Sequence, residues 1–154
     1  MIRRLLFHPW LRLRVQIALG LVFIAAALPK IADPPGFAKA IWNYQLFPAW
    51  AVHPAALAVP WLELVCGALL CLGLKARAAA AWTGALLLGF VLALSVNLAR
   101  NRPVDCGCFT TSERPRSDAQ RLQDMRWDIL RDLGLLLLVL HILGTSPRNS
   151  DPRR

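Results

Sequence analysis

The fold of this 154-residue chain is decided by residues 78–99, which read AAAAWTGALLLGFVLALSVNLA. These 22 residues carry no charge, and a helix of about 20 apolar residues crosses the hydrocarbon core of a bilayer. A helix of a soluble bundle carries a polar stripe, and this stretch has none. A strand is a poor alternative because the run is long, rich in Ala and Leu, and does not alternate. The stretch therefore predicts a transmembrane helix.

Three other apolar runs have the same character. Residues 15–29 carry no charge, residues 51–74 carry only Glu63, and residues 133–146 carry none. The shorter runs reach across a bilayer if the flanking Arg and Lys side chains snorkel to its surfaces. The last run also lengthens if it starts near Trp127. Together with residues 78–99 they predict four membrane-spanning helices.

The predicted architecture is all-α, an integral membrane bundle of four transmembrane helices. One membrane domain covers residues 1–146 and is followed by a polar tail over 147–154. The predicted spans are about 13–32, 51–74, 77–99 and 127–145.

Composition and charge support this class. The chain is 56% hydrophobic and only 18% charged, against about 25% charged residues in soluble domains. This excludes a disordered chain, a coiled coil and an ordinary soluble enzyme. The net charge of +9 suggests nucleic-acid binding at first sight, but the basic residues stand at the ends of the apolar runs. The predicted partner is therefore the lipid bilayer and not a nucleic acid.

Basic residues also set the predicted orientation. With four spans, each face of the membrane receives nine Lys and Arg residues, so the total count does not decide. The first helix usually dominates the positive-inside rule, and four arginines precede it. The loop between Asp33 and Trp50 carries a single basic residue, Lys39. The sequence therefore predicts cytoplasmic termini and an outward-facing loop over residues 100–126.

The loop after the first span has a pattern of its own. The turn and helix-start signal DPPG at 33–36 is followed by Phe37, Ile41 and Tyr44 at the spacing of one helix face. A short amphipathic helix is predicted, either as an anchor that lies in the membrane interface or as a lid over a site between the spans.

Cysteines supply the main chemical signal. Cys106-Gly107-Cys108 lies in the loop after the third span, and the intervening glycine gives the backbone freedom to bring the thiols together. In an oxidising compartment a disulfide persists, and one between near neighbours is strained and labile. A thiol–disulfide exchange site is one interpretation, and a structural pair or two unrelated thiols are the others.

The remaining potential ligands do not predict a metal site. None of the three histidines lies near the cysteine pair in sequence, and structural zinc needs four ligands. Cys66 and Cys71 are five residues apart in the second span. They therefore lie about 140° apart around a helix and cannot bond each other. They are interpreted as buried, inert thiols.

Ionisable groups inside the spans are a second signal. Glu63 lies near the middle of the second span, where a charge is costly and marks a functional hypothesis by default. Lys30, at the outer end of the first span, is its best predicted partner. The other polar groups of the spans are Gln16, Asn97, Arg131, Asp132 and His141. Such a network serves a proton-accepting or quinone-type pocket, or it holds the helices together.

Several motifs together resemble the MauE-like branch of the DoxX-like membrane proteins, over about residues 13–143. Its most specific motif is matched by NLAR at 97–100 followed by DCGCF at 105–109. The other matching pieces are GLVF at 20–23, PKIADP at 29–34, Phe37, Tyr44, Phe47-Pro48, PWLEL at 60–64, Gly67, Trp127 and Arg131-Asp132.

The resemblance implies a multi-pass protein of the cell inner membrane, and the orientation predicted from the basic residues puts the cysteine loop on the periplasmic side. It implies a role in processing, transport or maturation of the disulfide-rich small subunit of periplasmic methylamine dehydrogenase. Cys106 and Cys108 would be the redox-active, catalytic pair, and Glu63 and Lys30 the cofactor-binding positions within the membrane. The implied protein partner is a periplasmic thioredoxin-like protein or a disulfide-rich client.

Three functions stay open at this stage. The leading one is extracytoplasmic thiol–disulfide redox or protein maturation. The second follows DoxX relatives, which are linked to quinone-coupled oxidation of sulfur compounds, and makes the chain a quinone-linked oxidoreductase subunit with quinone as its cofactor. The third is a non-catalytic membrane scaffold. Only the first two would make the protein an oxidoreductase.

Overall fold

The computed structural model of the chain describes residues 9–104 and 117–145. Within these two ranges every regular element is a helix, which confirms the predicted all-α class. In chain order the helices are α1 (Pro9–Ala32), α2 (Pro34–Asn43), α3 (Ala49–Cys71), α4 (Ala76–Ala99) and α5 (Asp118–Thr145). The predicted tail over 147–154 lies outside the described residues, and the division into domain and tail stays a prediction.

Three of the helices suit a membrane along their whole length. By length and composition, α1, α3 and α4 qualify as membrane spans among the described residues. Between 33% and 39% of their most apolar stretches is buried inside the protein. The outward surface carries large apolar side chains such as Leu21, Leu92 and Leu137, each more than half exposed. A soluble monomer rarely exposes so much contiguous apolar surface, so lipid covers it.

The fourth long helix, α5, starts at Asp118 and contains the span predicted over about 127–145. A capping box sets this start: Ser117 Oγ accepts from Gln120 N at 3.3 Å, and Ser117 N donates to Gln120 Oε1 at 3.1 Å. The first half of α5 is charged and its second half is apolar. The helix is therefore compatible with the predicted fourth span over its second half.

Helix α3 ends at Cys71, because a glycine stops it. Gly73 has a φ of +69°, the left-handed conformation that glycine adopts without strain. Gly73 N donates to Leu70 O at 3.1 Å, and Leu74 N donates to Leu69 O at 3.0 Å. These two bonds form a Schellman motif, which satisfies the last carbonyls of α3 and turns the chain toward α4.

Helices α1 and α3 pack antiparallel at a glycine contact. A Cβ atom placed on Gly20 would lie 2.6 Å from Gly67 O, and one placed on Gly67 would lie 2.8 Å from Gly20 O. Small residues allow this close approach, which is how helices associate in a bilayer where water drives no packing. The contact brings the two helix backbones together. Lys30 and Glu63, which lie between this contact and the C-terminal end of α1, are thereby placed on facing surfaces of the two helices.

The core is shared by all four long helices. Its largest cluster of buried side chains is Leu19, Phe23, Leu70, Ala76, Ala79, Ala80, Leu87, Val139 and Ile142. A second cluster packs Phe37 and Ile41 of α2 against Val52 and Ala56 of α3. A third joins Tyr44, Leu94, Val104 and Met125 at the end of the bundle where α2 lies. This end, called the α2 end below, holds the C-termini of α1 and α4 and the N-termini of α3 and α5.

The glycine contact predicts different effects on thermal stability for two matched glycine-to-alanine substitutions. Gly67→Ala is expected to lower the midpoint of thermal unfolding in detergent, because its Cβ meets backbone atoms of α1 at 2.8 and 3.1 Å. Gly134→Ala is expected to leave it unchanged or raise it, since a Cβ there meets nothing within 4 Å and alanine favours a helix. Equal midpoints for the two variants would contradict the close packing of α1 on α3.

Candidate functional site

A buried ion pair joins α1 and α3. Lys30 Nζ lies 2.7 Å from Glu63 Oε1 and 2.8 Å from Glu63 Oε2. The two side chains are 1% and 3% exposed. The pairing predicted from sequence is thereby confirmed. Lys30 stands near the end of α1, and its flexible stem brings the ammonium to the carboxylate of Glu63 within α3.

Two aromatic rings complete the surroundings of the ammonium. Lys30 Nζ lies 5.1 Å from the ring centre of Phe37 on α2 and 5.0 Å from that of Phe90 on α4. Both distances suit a cation–π interaction. The rings also keep lipid away from the charges, so four separate elements enclose this pair.

The short helix α2 therefore covers the site. Asp33 caps its start, where the side chain accepts from Gly36 N at 3.0 Å, as the sequence signal predicts. Its apolar face, with Phe37 and Ile41, is buried against α3. This face packs within the protein, with Phe37 over Lys30, as the lid interpretation expects. Trp42 and Phe47 are about half exposed, and the interfacial-anchor interpretation stays a prediction.

Helix α5 brings a second group of charges to the same depth. Arg131 lies 2.8 Å from Asp128 Oδ1, and its Nη2 and Nε lie 2.9 and 3.0 Å from Asp132 Oδ1. The Asp132 side chain is 4% exposed. It is close enough to act electrostatically on both Lys30 and Glu63. The sequence analysis named Arg131 and Asp132 as polar groups and as a family motif, but it missed Asp128. The i, i+3, i+4 spacing of the three residues is the signal that marks one charged helix face.

A small cleft separates the two charged groups. Its volume is about 30 Å³, and its lining includes Lys30, Glu63, Phe90, Arg131 and Asp132. A site of this size and polarity has room for a water molecule. The arrangement can hold a proton or a water between paired charges, and it links three long helices. Among the described residues, no group of three His, Cys, Asp or Glu side chains is placed to hold a metal ion.

The predicted catalytic cysteines, Cys106 and Cys108, lie outside the described residues. The nearest described residue before them is Val104, which is 6% exposed at the α2 end. Val104 N donates to Met125 Sδ at 3.5 Å, which attaches this part of the chain to α5. Of the other two cysteines, both are free thiols; Cys66 is buried as predicted, whereas Cys71, at the end of α3, is only partly buried. That the two thiols are inert stays a prediction.

Comparison with known proteins identifies the family. The family model described as "Methylamine utilisation protein MauE" matches residues 8–145. The chain belongs to the MauE family. The matched region spans Lys30 and Glu63, the charged face of α5 and the Cys-Gly-Cys motif. Whether MauE proteins form a branch of the DoxX-like proteins stays a prediction.

Individual relatives agree with the family. The chain is 35% identical to a "Methylamine utilization protein MauE" of Methylorubrum extorquens, over 96% of this chain and 76% of the relative. It is 34% identical to the MauE protein of Paracoccus denitrificans, over 92% of this chain and 73% of the relative. It is 39% identical to that of Methylophilus methylotrophus, over 65% and 53% respectively. No solved structure matches the chain significantly.

Proposed function

We propose that this MauE-family membrane protein carries out thiol–disulfide exchange during maturation of a disulfide-rich periplasmic protein of methylamine utilisation. The methylamine dehydrogenase small subunit is the type of client proposed. Cys106 and Cys108 are the exchanging pair. The observation that carries the proposal is the Cys-Gly-Cys motif between α4 and α5 of a membrane protein whose relatives are named for methylamine utilisation.

The packing at the α2 end supports a role for this part of the chain. Val104 is buried against Tyr44 and Met125 two residues before the motif begins. Tyr44 follows α2 directly and Met125 belongs to α5, so the chain leaves a fixed point on the bundle before it reaches Cys106. This attachment supports the proposal that a soluble client meets the cysteine pair at the α2 end of the bundle.

The proposed chemistry balances within the two thiol pairs. A thiolate of one pair attacks the disulfide of the other, and a mixed disulfide forms as one thiolate leaves. The second thiol of the attacking pair then resolves the mixed disulfide. Two electrons and two protons pass between Cys106–Cys108 and one cysteine pair of the client. The glycine at 107 supplies the backbone freedom that opening and closing so small a ring requires.

The Lys30–Glu63 pair is proposed to support this role and not to perform the exchange. Both carboxylate oxygens accept from the ammonium, and both side chains are shielded by the protein. The pair joins α1 to α3 directly beneath α2, so it fixes the end of the bundle from which the cysteine segment leaves. Glu63 and Lys30 as a cofactor site, with quinone as the cofactor, stay a prediction.

Trapping of a mixed disulfide tests the proposal. The chain is co-expressed with the small subunit of methylamine dehydrogenase as Cys106→Ser, Cys108→Ser and the double variant. In one single variant the resolving thiol is missing, so a covalent adduct with the client is expected to accumulate on a non-reducing gel and to disappear with reductant. Cys66→Ser is the matched control and is expected to form no adduct. The exchange role would be contradicted by an adduct in the double variant. It would equally be contradicted if neither single variant formed an adduct.

A further inference from the structure

An apolar groove runs along the outer surface between α3 and α4. Its volume is about 190 Å³. The floor and walls include Ala55 and Val59 of α3 and Gly89 and Phe90 of α4, and residues at the α2 end close it above. The lining side of α4 is open to the outside at Ala85 and Gly89, which are exposed. The groove therefore faces the lipid that surrounds the spans.

Small residues create the groove. Ala85, Gly89 and Ala93 follow each other at intervals of four on one face of α4, and all three line it. A Cβ atom placed on Gly89 meets no other atom within 4 Å, so this part of the groove is empty of protein. Among the lining residues, only Tyr44 has a polar group in its side chain. Whatever fills the groove must therefore present hydrocarbon to it.

The direction and length of the groove suit an acyl chain. From Ala85 to Ala93 the helix rises about 12 Å, at 1.5 Å per residue, and α4 is one of the apolar helices that cross the membrane. An elongated hydrocarbon that runs parallel to such a helix has the orientation of a lipid tail. The closed end at α2 is the end nearer the membrane surface, where a lipid carries its headgroup.

A cation stands at this closed end. Arg102 donates from Nη1 to Gln45 Oε1. Gln45 lies between Tyr44 and Phe47, which both line the groove. Arg102 is thus bonded to the residue that follows Tyr44 at the closed end of the groove, and Arg102 is exposed. Guanidinium groups bind phosphate through several directed hydrogen bonds, so the charge complements an anionic headgroup directly above an acyl chain.

We propose that the groove between α3 and α4 is a binding site for one anionic phospholipid, with an acyl chain along Ala85, Gly89 and Ala93 and the phosphate at Arg102. The proposal is independent of the cysteine chemistry. It assigns a ligand class to the lipid-facing side of Phe90 and Tyr44, residues that also contact the ion pair and the segment before the cysteine motif.

Native mass spectrometry of the full chain in mild detergent tests the proposal, with dioleoyl phosphatidylglycerol and dioleoyl phosphatidylcholine as probes. The wild type is expected to retain one phosphatidylglycerol in preference to phosphatidylcholine. Gly89→Leu fills the groove and is expected to reduce retention at least tenfold. Gly134→Leu, at a glycine whose Cβ also meets nothing within 4 Å, is the matched control and is expected to retain the lipid. Arg102→Gln is expected to remove the preference between the two lipids.

Three outcomes would overturn the proposal. The first is equal retention by Gly89→Leu and the wild type. The second is a wild type without preference for the anionic lipid, or a preference that Arg102→Gln leaves intact. The third is a wild-type dimer that Gly89→Leu converts to a monomer while lipid retention stays the same, which would assign the groove to a second copy of the chain.

Discussion

Replacing Lys30 with methionine is expected to lower the free energy of unfolding by about 3–5 kcal/mol, because removing one partner of a buried pair leaves the other charge uncompensated. Glu63→Leu is expected to have an effect of similar size for the same reason. The double variant Lys30→Met/Glu63→Leu is expected to recover most of the loss. Both charges then disappear together, and an apolar pair of similar volume is often as stable as a buried salt bridge.

The neighbours of the pair sharpen this expectation. In Lys30→Met, the Glu63 carboxylate keeps the charge of Asp132 close by, and the two aromatic rings that faced the ammonium face no cation. Unfolding in mixed micelles of increasing denaturing detergent measures the effect. Lys75→Met is the matched control, since Lys75 is exposed in the turn before α4. A loss below about 1 kcal/mol in both single variants, or a double variant as unstable as the sum of the singles, would contradict a tightly coupled pair.

The sequence predicts the bundle and the ion pair because both follow from the cost of polar groups in lipid. Uncharged runs of 20 residues have few alternatives to a membrane helix. Glu63 in such a run needs a cation, and Lys30 stands at the end of the neighbouring run. The antiparallel contact of Gly20 with Gly67 then brings the two helices close enough for the pair to form.

The surroundings of the pair were beyond the sequence pattern. Whether Asp132 lies level with Glu63 depends on how far α5 is displaced along its axis, and hydrophobic periodicity does not contain that displacement. The position of Phe37 over Lys30 depends on the direction in which α2 folds back after Asp33. The groove beside Gly89 could not be predicted for a related reason. Its shape depends on how closely α3 and α4 pack, and the sequence pattern does not contain that distance.

Helix ends were predictable where local signals were read. Asp33 was recognised as a helix start and caps α2. Ser117 and Gln120 form a capping box, which starts α5 before the membrane span that is predicted from about residue 127. The apolar run marks only the second half of α5. The first half is charged, and a capping box together with residues that favour a helix makes it helical as well.

Cys106 and Cys108 are expected to be accessible to reagents from outside the cytoplasmic membrane. The proposed exchange requires the pair to face an oxidising compartment, because a persistent disulfide is rare in the cytosol. Cys66 and Cys71 lie within a membrane-spanning helix, so a charged, membrane-impermeant thiol reagent is expected not to reach them. Labelling in intact cells therefore reports on the loop pair alone, and the Cys106→Ser/Cys108→Ser double variant supplies the background.

Thiol labelling of spheroplasts, with and without an impermeant reductant, tests whether Cys106 and Cys108 form a disulfide outside the cytoplasm. We expect no labelling above background before reduction and two labels per chain after it, both absent from the double variant. Two labels that appear only when the membrane is made permeable would place the pair in the cytoplasm. That result would contradict the predicted orientation and, with it, the proposed exchange with a periplasmic client.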